Sequence, residues 1–201
     1  MKLFAFGEIV PGYSVPVLNE REVRAGAGIL FVSAFAAFMN ALLVGNLFYL
    51  KIFIIAFWVD FFIRLVVNPK YSPVLIVGRF IVRHQSVEYS GAPQKRFAWT
   101  LGLIMASLMF FLVIIVGAVG PLNLFMCLLC LTLLFFETSF GICLGCKLYN
   151  MFHAEKAQLC PGGACEIKRI EPIQQVSLLQ VILVVLFIIF LMLVALGQMN
   201  L

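Results

Sequence analysis

The sequence predicts an all-α membrane protein: a polytopic helix bundle of about five transmembrane helices with one short cytoplasmic interfacial helix. Three observations predict it. Hydrophobic residues make up 64% of the 201-residue chain and charged residues only 11%, with a mean hydropathy of +1.11, whereas a soluble globular domain carries about 25% charged residues. The apolar residues fall in continuous runs long enough to cross roughly 30 Å of hydrocarbon, without the alternation of barrel strands. The cations collect in alternate connections, the asymmetry that sets orientation in a membrane.

The runs cover about residues 26–46, 47–67, 97–119, 122–147 and 174–197, within a single membrane domain, 1–201. An odd number of spans puts the termini on opposite sides. Lys2, Arg21 and Arg24 precede the first run; Lys70, Arg79, Arg83, Lys95 and Arg96 lie between the second and third; Lys147, Lys156, Lys168 and Arg169 lie between the fourth and fifth. Arg64 falls at the inner end of the second run and only Lys51 is left for the other side, so the N-terminus is expected in the cytoplasm and the C-terminus outside. The net charge of +5 is thereby explained by topology and contact with membrane lipid, and nucleic acid is not expected as a partner. The opening residues, broken by Pro11, Gly12 and Pro16, do not read as a cleaved signal peptide.

Residues 1–18 read as an extended segment at the cytoplasmic face. Asn19 with Glu22 predicts a helix start, because the Asn side chain accepts an orphan backbone N–H and an acidic residue suits the first turn. The first span carries Gly26, Gly28, Ala34, Ala36, Ala37, Ala41 and Gly45, small residues that let helices approach closely in lipid; Asn40 is expected in an interhelical hydrogen bond. The second holds Asp60 and Arg64 at a spacing that lets them pair. Asn68-Pro69 ends it. Pro73 to His84 suits a helix lying on the membrane surface, with His84 a solvated or hydrogen-bonded side chain. Lys95, Arg96 and Trp99 anchor the third span, Gly120-Pro121 turns into the fourth, and the last is expected to serve packing.

All six cysteines lie between Pro121 and Glu166, as Cys127-x-x-Cys130, Cys143-x-x-Cys146 and Cys160-Pro161-Gly162-Gly163-Ala164-Cys165. A Cys-x-x-Cys at a helix end offers either a thiolate with a partner for disulfide exchange or two soft metal ligands. One buried pair is often only two small hydrophobes, but three pairs so close together point to chemistry. On a straight fourth helix, Cys127 and Cys143 would be roughly 24 Å apart and the two pairs would face nearly opposite ways. Either that helix breaks around Gly141 and Gly145, or the two ends act separately. Glu137, two turns beyond Cys130, is a carboxyl at a costly depth, so a proton-handling role is expected of it, against a plain hydrogen bond to Asn40 or Asn123. Cys143, Cys146, Cys160 and Cys165 together have the ligand types for a zinc site or an iron-sulfur cluster. His153 reads as a bystander.

The run Gly91-Ala92-Pro93-Gln94-Lys95-Arg96-Phe97-Ala98-Trp99, the pair Cys127/Cys130, Phe140-Gly141-Ile142-Cys143-Leu144-Gly145-Cys146-Lys147 and Cys160-Pro161-Gly162-Gly163-Ala164-Cys165 resemble a bacterial cysteine-rich integral membrane family of unknown function. The resemblance covers nearly the whole chain. It implies a bacterial inner membrane, and association with a thioredoxin-like or sulfurtransferase protein on the cytoplasmic side. Glu137 and the six cysteines occupy matching motif positions.

The expectation that leads is a membrane thiol relay, a thiol-disulfide oxidoreductase or sulfur-transfer protein. It passes reducing equivalents or persulfide sulfur between a cytoplasmic thiol partner and the outer half of the membrane, with Cys143 and Cys146 receiving, Cys160 and Cys165 resolving, Cys127 and Cys130 accepting, and Glu137 managing protons. Two alternatives stay open: a transporter or channel for a small sulfur compound such as thiosulfate, and a scaffold with a structural four-cysteine zinc site.

Overall fold

The computed structural model describes residues 6–152 and 178–199. Their contacts group into two units, Met1–Glu166 and Ile167–Leu201, which are described separately. In the first, strand β1 (Val17–Asn19) leads directly into helix α1 (Glu20–Val44), followed by α2 (Phe48–Phe62), α3 (Pro73–Val82), strand β2 (Tyr89–Gly91), α4 (Ala92–Met109), α5 (Pro121–Phe135) and α6 (Leu144–Phe152). The second contains α7 (Leu178–Met199), a charge-free helix of 22 residues.

The chain is mostly helical, and among the described residues three helices are long and apolar enough to cross a membrane: Glu20–Val44, Ala92–Val116 and Pro121–Phe140. The last two include wide π-type turns, Phe110–Val116 and Phe136–Phe140, that prolong α4 and α5. A similar turn, Ile63–Val67, prolongs α2 to the end of the expected second run, and that helix carries Lys51, Asp60 and Arg64.

The two strands were absent from the all-α expectation. They form one antiparallel ladder, Val17 opposite Gly91 and Asn19 opposite Tyr89, too short to show a period in sequence. The ladder is nonetheless what aligns the bundle. β1 runs into α1 and β2 into α4, so pairing the strands sets the two helix starts side by side. Each helix therefore begins earlier than its apolar run. Asn19 caps α1, its Oδ1 accepting the Arg21 N–H at 3.2 Å while its Nδ2 donates to Glu22 Oε1 at 3.1 Å. Pro93 occupies the first turn of α4, where its missing N–H costs no hydrogen bond.

Helix α1 is the hub. Of the small residues expected to form its packing face, Gly26, Ala34 and Ala37 are buried, with Ala27 beside them, while Ala36 and Gly45 are exposed, and α3 crosses so closely that a Cβ on Gly78 would lie 2.8 Å from the Glu22 carbonyl oxygen. The core gathers Leu30, Phe38, Phe57, Phe61, Trp99 and Leu134. Phe57 and Phe61 stack with ring centroids 4.1 Å apart. Helix α3 buries Leu75, Gly78 and Val82 and exposes Ile76, Val77, Phe80 and Ile81, an apolar outer face consistent with a membrane-surface helix.

Asp60 and Arg64 make the expected ion pair, 2.6 Å apart and almost wholly buried. Ser72, which caps α3, donates to Asp60 Oδ1 at 2.7 Å and accepts from Arg64 Nε at 3.2 Å; the Val74 N–H also reaches Asp60 Oδ1, at 3.0 Å. The guanidinium lies 4.6 Å from the Phe61 ring centre and 5.0 Å from that of Trp99. With these partners the pair ties the end of α2 to the start of α3, a structural part. Asn40 differs from expectation: its buried Oδ1 has no hydrogen-bond partner among the described residues.

Candidate functional site

The expected fourth span, 122–147, is not one helix. It stops at Phe140, and Gly141 takes the left-handed conformation, φ 64°, which glycine adopts without steric penalty. A Cβ there would also run into the Arg24 guanidinium. The chain then restarts as α6, packed against α4 so tightly that a Cβ on Gly145 would lie 2.6 Å from the Ala98 Cβ. The break thus falls at Gly141, while Gly145 permits the close approach. The roughly opposite orientation of the two Cys-x-x-Cys pairs, which assumes a straight helix, does not apply.

The break places Cys143 immediately before α6. Its Sγ accepts the backbone N–H of Cys146 at 3.3 Å, the position of an N-capping side chain, where the helix offers unpaired N–H groups and the positive end of its dipole. Both thiols are buried, with exposures of 6% and 2%. The Cys146 thiol is pushed above its usual range, first by its hydrogen bond with Cys143, then by burial and by charge on that sulfur, while Lys95 pulls the other way. The pair is therefore unequal: Cys146 is held in its protonated form, while the Cys143 sulfur faces the start of α6.

Beside the thiols sits a buried cluster of charge. Lys95 is wholly enclosed; its Nζ is 3.1 and 3.0 Å from the two carboxylate oxygens of Glu20, itself wholly enclosed, and 2.6 Å from Glu137 Oε1. Lys95 is also within electrostatic reach of Cys143 and Cys146. The members arrive by two routes: Glu20 and Lys95 through the strand ladder that aligns α1 and α4, and Glu137 through the wide turn after α5. Such turns insert an extra residue into the helical spacing and re-aim side chains. Glu137 does not bond to Asn40 or Asn123; Asn123 Nδ2 donates instead to the Ala118 carbonyl, at 2.8 Å.

Lys95, expected to anchor the inner end of the third span, is instead enclosed in this cluster, and Glu20 is not among the candidates the sequence singles out. One signal was available: a carboxyl placed near the inner end of a span needs a cation at the same depth, and Lys95 begins the neighbouring span.

Cys127 and Cys130 lie on α5, half-buried and packed against the core. They line a cavity of about 490 Å³ whose wall also includes Glu137 and Cys143. Three of the expected cysteines and the expected carboxylate therefore share one space. Cys160 and Cys165, with His153, lie outside the described residues, and so does half of the expected zinc or iron-sulfur ligand set. Among the described residues no group of three or more His, Cys, Asp or Glu side chains is arranged to hold a metal ion.

No curated protein and no solved structure matches this chain. A family model does, that of a domain of unknown function, DUF4395, over residues 18–154. The match takes in β2 and all but the first residue of β1, α1 to α6, the buried Lys95 cluster and both Cys-x-x-Cys pairs of the described residues. The chain belongs to the DUF4395 family.

Proposed function

We propose that this protein is a membrane thiol relay in which Cys143 and Cys146 form the reactive dithiol. The observation that carries the reading is the capping of α6 by Cys143, whose sulfur takes a backbone N–H beside Lys95. A thiolate is the form that attacks disulfides, and this is an arrangement that favours one thiolate of a pair while holding the other as the thiol that resolves the mixed disulfide.

Glu137 stands between the thiols' cavity and Lys95. Two carboxylates and one ammonium carry a net charge of −1 when all are ionised, so the cluster can take up one proton and become neutral. Burying uncompensated charge is costly. Glu137 shares the cavity wall with Cys143, whereas Glu20 does not, and it is the carboxylate that passes on the proton Cys143 loses. Cys127 and Cys130, on the wall of the same cavity, are the second pair of the relay.

In this reading α1, α2 with its wide turn, α4, α5 and α7 each span the inner membrane. The cation bias puts the Cys143 end in the cytoplasm, where a thioredoxin-like or sulfurtransferase protein meets it. Reducing equivalents and persulfide sulfur use the same residues. A thiosulfate channel is supported less, since among the described residues no Lys, Arg or His side chain lines the cavity to balance a dianion.

The test is a mass-spectrometric map of all cysteines in protein alkylated at lysis, with metal analysis alongside. A Cys143–Cys146 disulfide or a persulfide on Cys143, changing with the supply of reductant, supports the relay. Invariant free thiols with one zinc per chain would replace it by the scaffold reading.

A further inference from the structure

The cavity between the two thiol pairs has a chemistry of its own. Its volume of about 490 Å³ lies within the range of small-molecule sites, about 300–1,000 Å³. Phe38, Phe57, Trp99, Met105 and Met126 are among its walls. Among the described residues its only ionisable groups are Glu137 and the thiols of Cys127, Cys130 and Cys143, and no cationic side chain lines it. A charged redox partner has no counter-charge there and would have to leave water for an apolar space. A neutral, flat, lipid-soluble molecule meets aromatic and thioether surface along the walls and polar groups where Glu137 and Cys143 stand.

We propose that this cavity binds a quinone, with the ring beside Cys143 and Glu137 and the isoprenoid tail along the apolar wall. The redox step rests on the thiol-relay reading; the binding step does not. The Cys143 thiol gives its proton to Glu137, and its sulfur adds to a ring carbon. The Cys146 sulfur then attacks Cys143 Sγ, forming the S–S bond as the S–C bond breaks, and its proton is released. The bond electrons stay on the ring, which takes one proton from Glu137 and the one from Cys146 to become quinol. Two thiols lose two electrons and two protons, and the quinone gains both.

The test uses the full chain in nanodiscs, carrying Trp58→Phe so that Trp99 is the sole reporter, with decyl-ubiquinone as the probe. The expected result is saturable quenching of Trp99, weakened at least tenfold by Ala34→Leu or Leu133→Phe, which fill the cavity from two different helices. The reduced protein should also form one quinol for each dithiol lost, and Cys143→Ala should form none. If quenching is unsaturable, or indifferent to both fillings, while the wild-type dithiol still exchanges with a soluble thioredoxin-like protein, the quinone site is overturned and the relay stands. Saturable, filling-sensitive quenching with no dithiol exchange would uphold the site and overturn the relay.

Discussion

Lys95 Nζ lies 2.6 Å from Glu137 Oε1, joining the first turn of α4 to the wide turn after α5, with Glu20 closing the other side of the ammonium. The contact lies one turn before the Gly141 break that separates the fourth span from the Cys143 pair. Removing one member of a buried ion cluster leaves the others uncompensated, at a cost of about 3–5 kcal/mol. Lys95→Met should therefore lower the detergent-unfolding midpoint sharply. Adding Glu20→Gln and Glu137→Gln to it should recover much of the loss, because the stranded charges are gone.

The Asp60–Arg64 pair is equally buried but distant in role. Asp60→Ala leaves Arg64 and Ser72 without their acceptor and should cost about 3–5 kcal/mol in the same unfolding assay. As a part of the frame, it should change the thiol-exchange rate of the molecules that remain folded by less than about twofold.

Gly145 faces Ala98 across the α4–α6 contact. Gly145→Ala forces the helices apart, at about 1–3 kcal/mol, and should speed alkylation of Cys143 and Cys146 in the folded protein. Cys127 and Cys130, on a different helix, should label at the wild-type rate.

Cys146 carries a raised thiol pKa in the folded chain, from its hydrogen bond with Cys143 first and burial second. In the unfolded chain a thiol titrates near pH 8.5. Below that, both states hold the proton and the stabilisation is fully present. Above it the unfolded chain loses the proton while the folded chain keeps it, so stability falls as pH rises, by up to about 1.4 kcal/mol per pH unit. Unfolding midpoints between about pH 7 and pH 10 should fall more steeply in the wild type than in Cys146→Ser.

The helical membrane character, the small-residue face of α1, the Asn19 cap and the Asp60–Arg64 pair were all legible in sequence because each rests on local composition or i,i+4 spacing. The break at Gly141 was legible only as an alternative, since a glycine inside an apolar run is often tolerated. The Lys95 cluster was not legible. It depends on Glu20, Lys95 and Glu137 meeting through a three-residue strand ladder and a wide turn, and neither leaves a periodic trace. The cavity shared by the two thiol pairs is likewise a product of tertiary packing.

The measurement closest to the central claim is a disulfide trap. Cys146→Ala removes the resolving thiol, so a partner attacked by Cys143 should remain attached as a mixed disulfide. Membranes quenched in acid, alkylated and run without reductant should show a reducible adduct between Cys143 and a thioredoxin-like or sulfurtransferase protein, absent when Cys143→Ala is added. Free Cys143 in the Cys146→Ala protein, with adducts unchanged by Cys143→Ala, would contradict the assignment of Cys143 and Cys146 as the reactive pair.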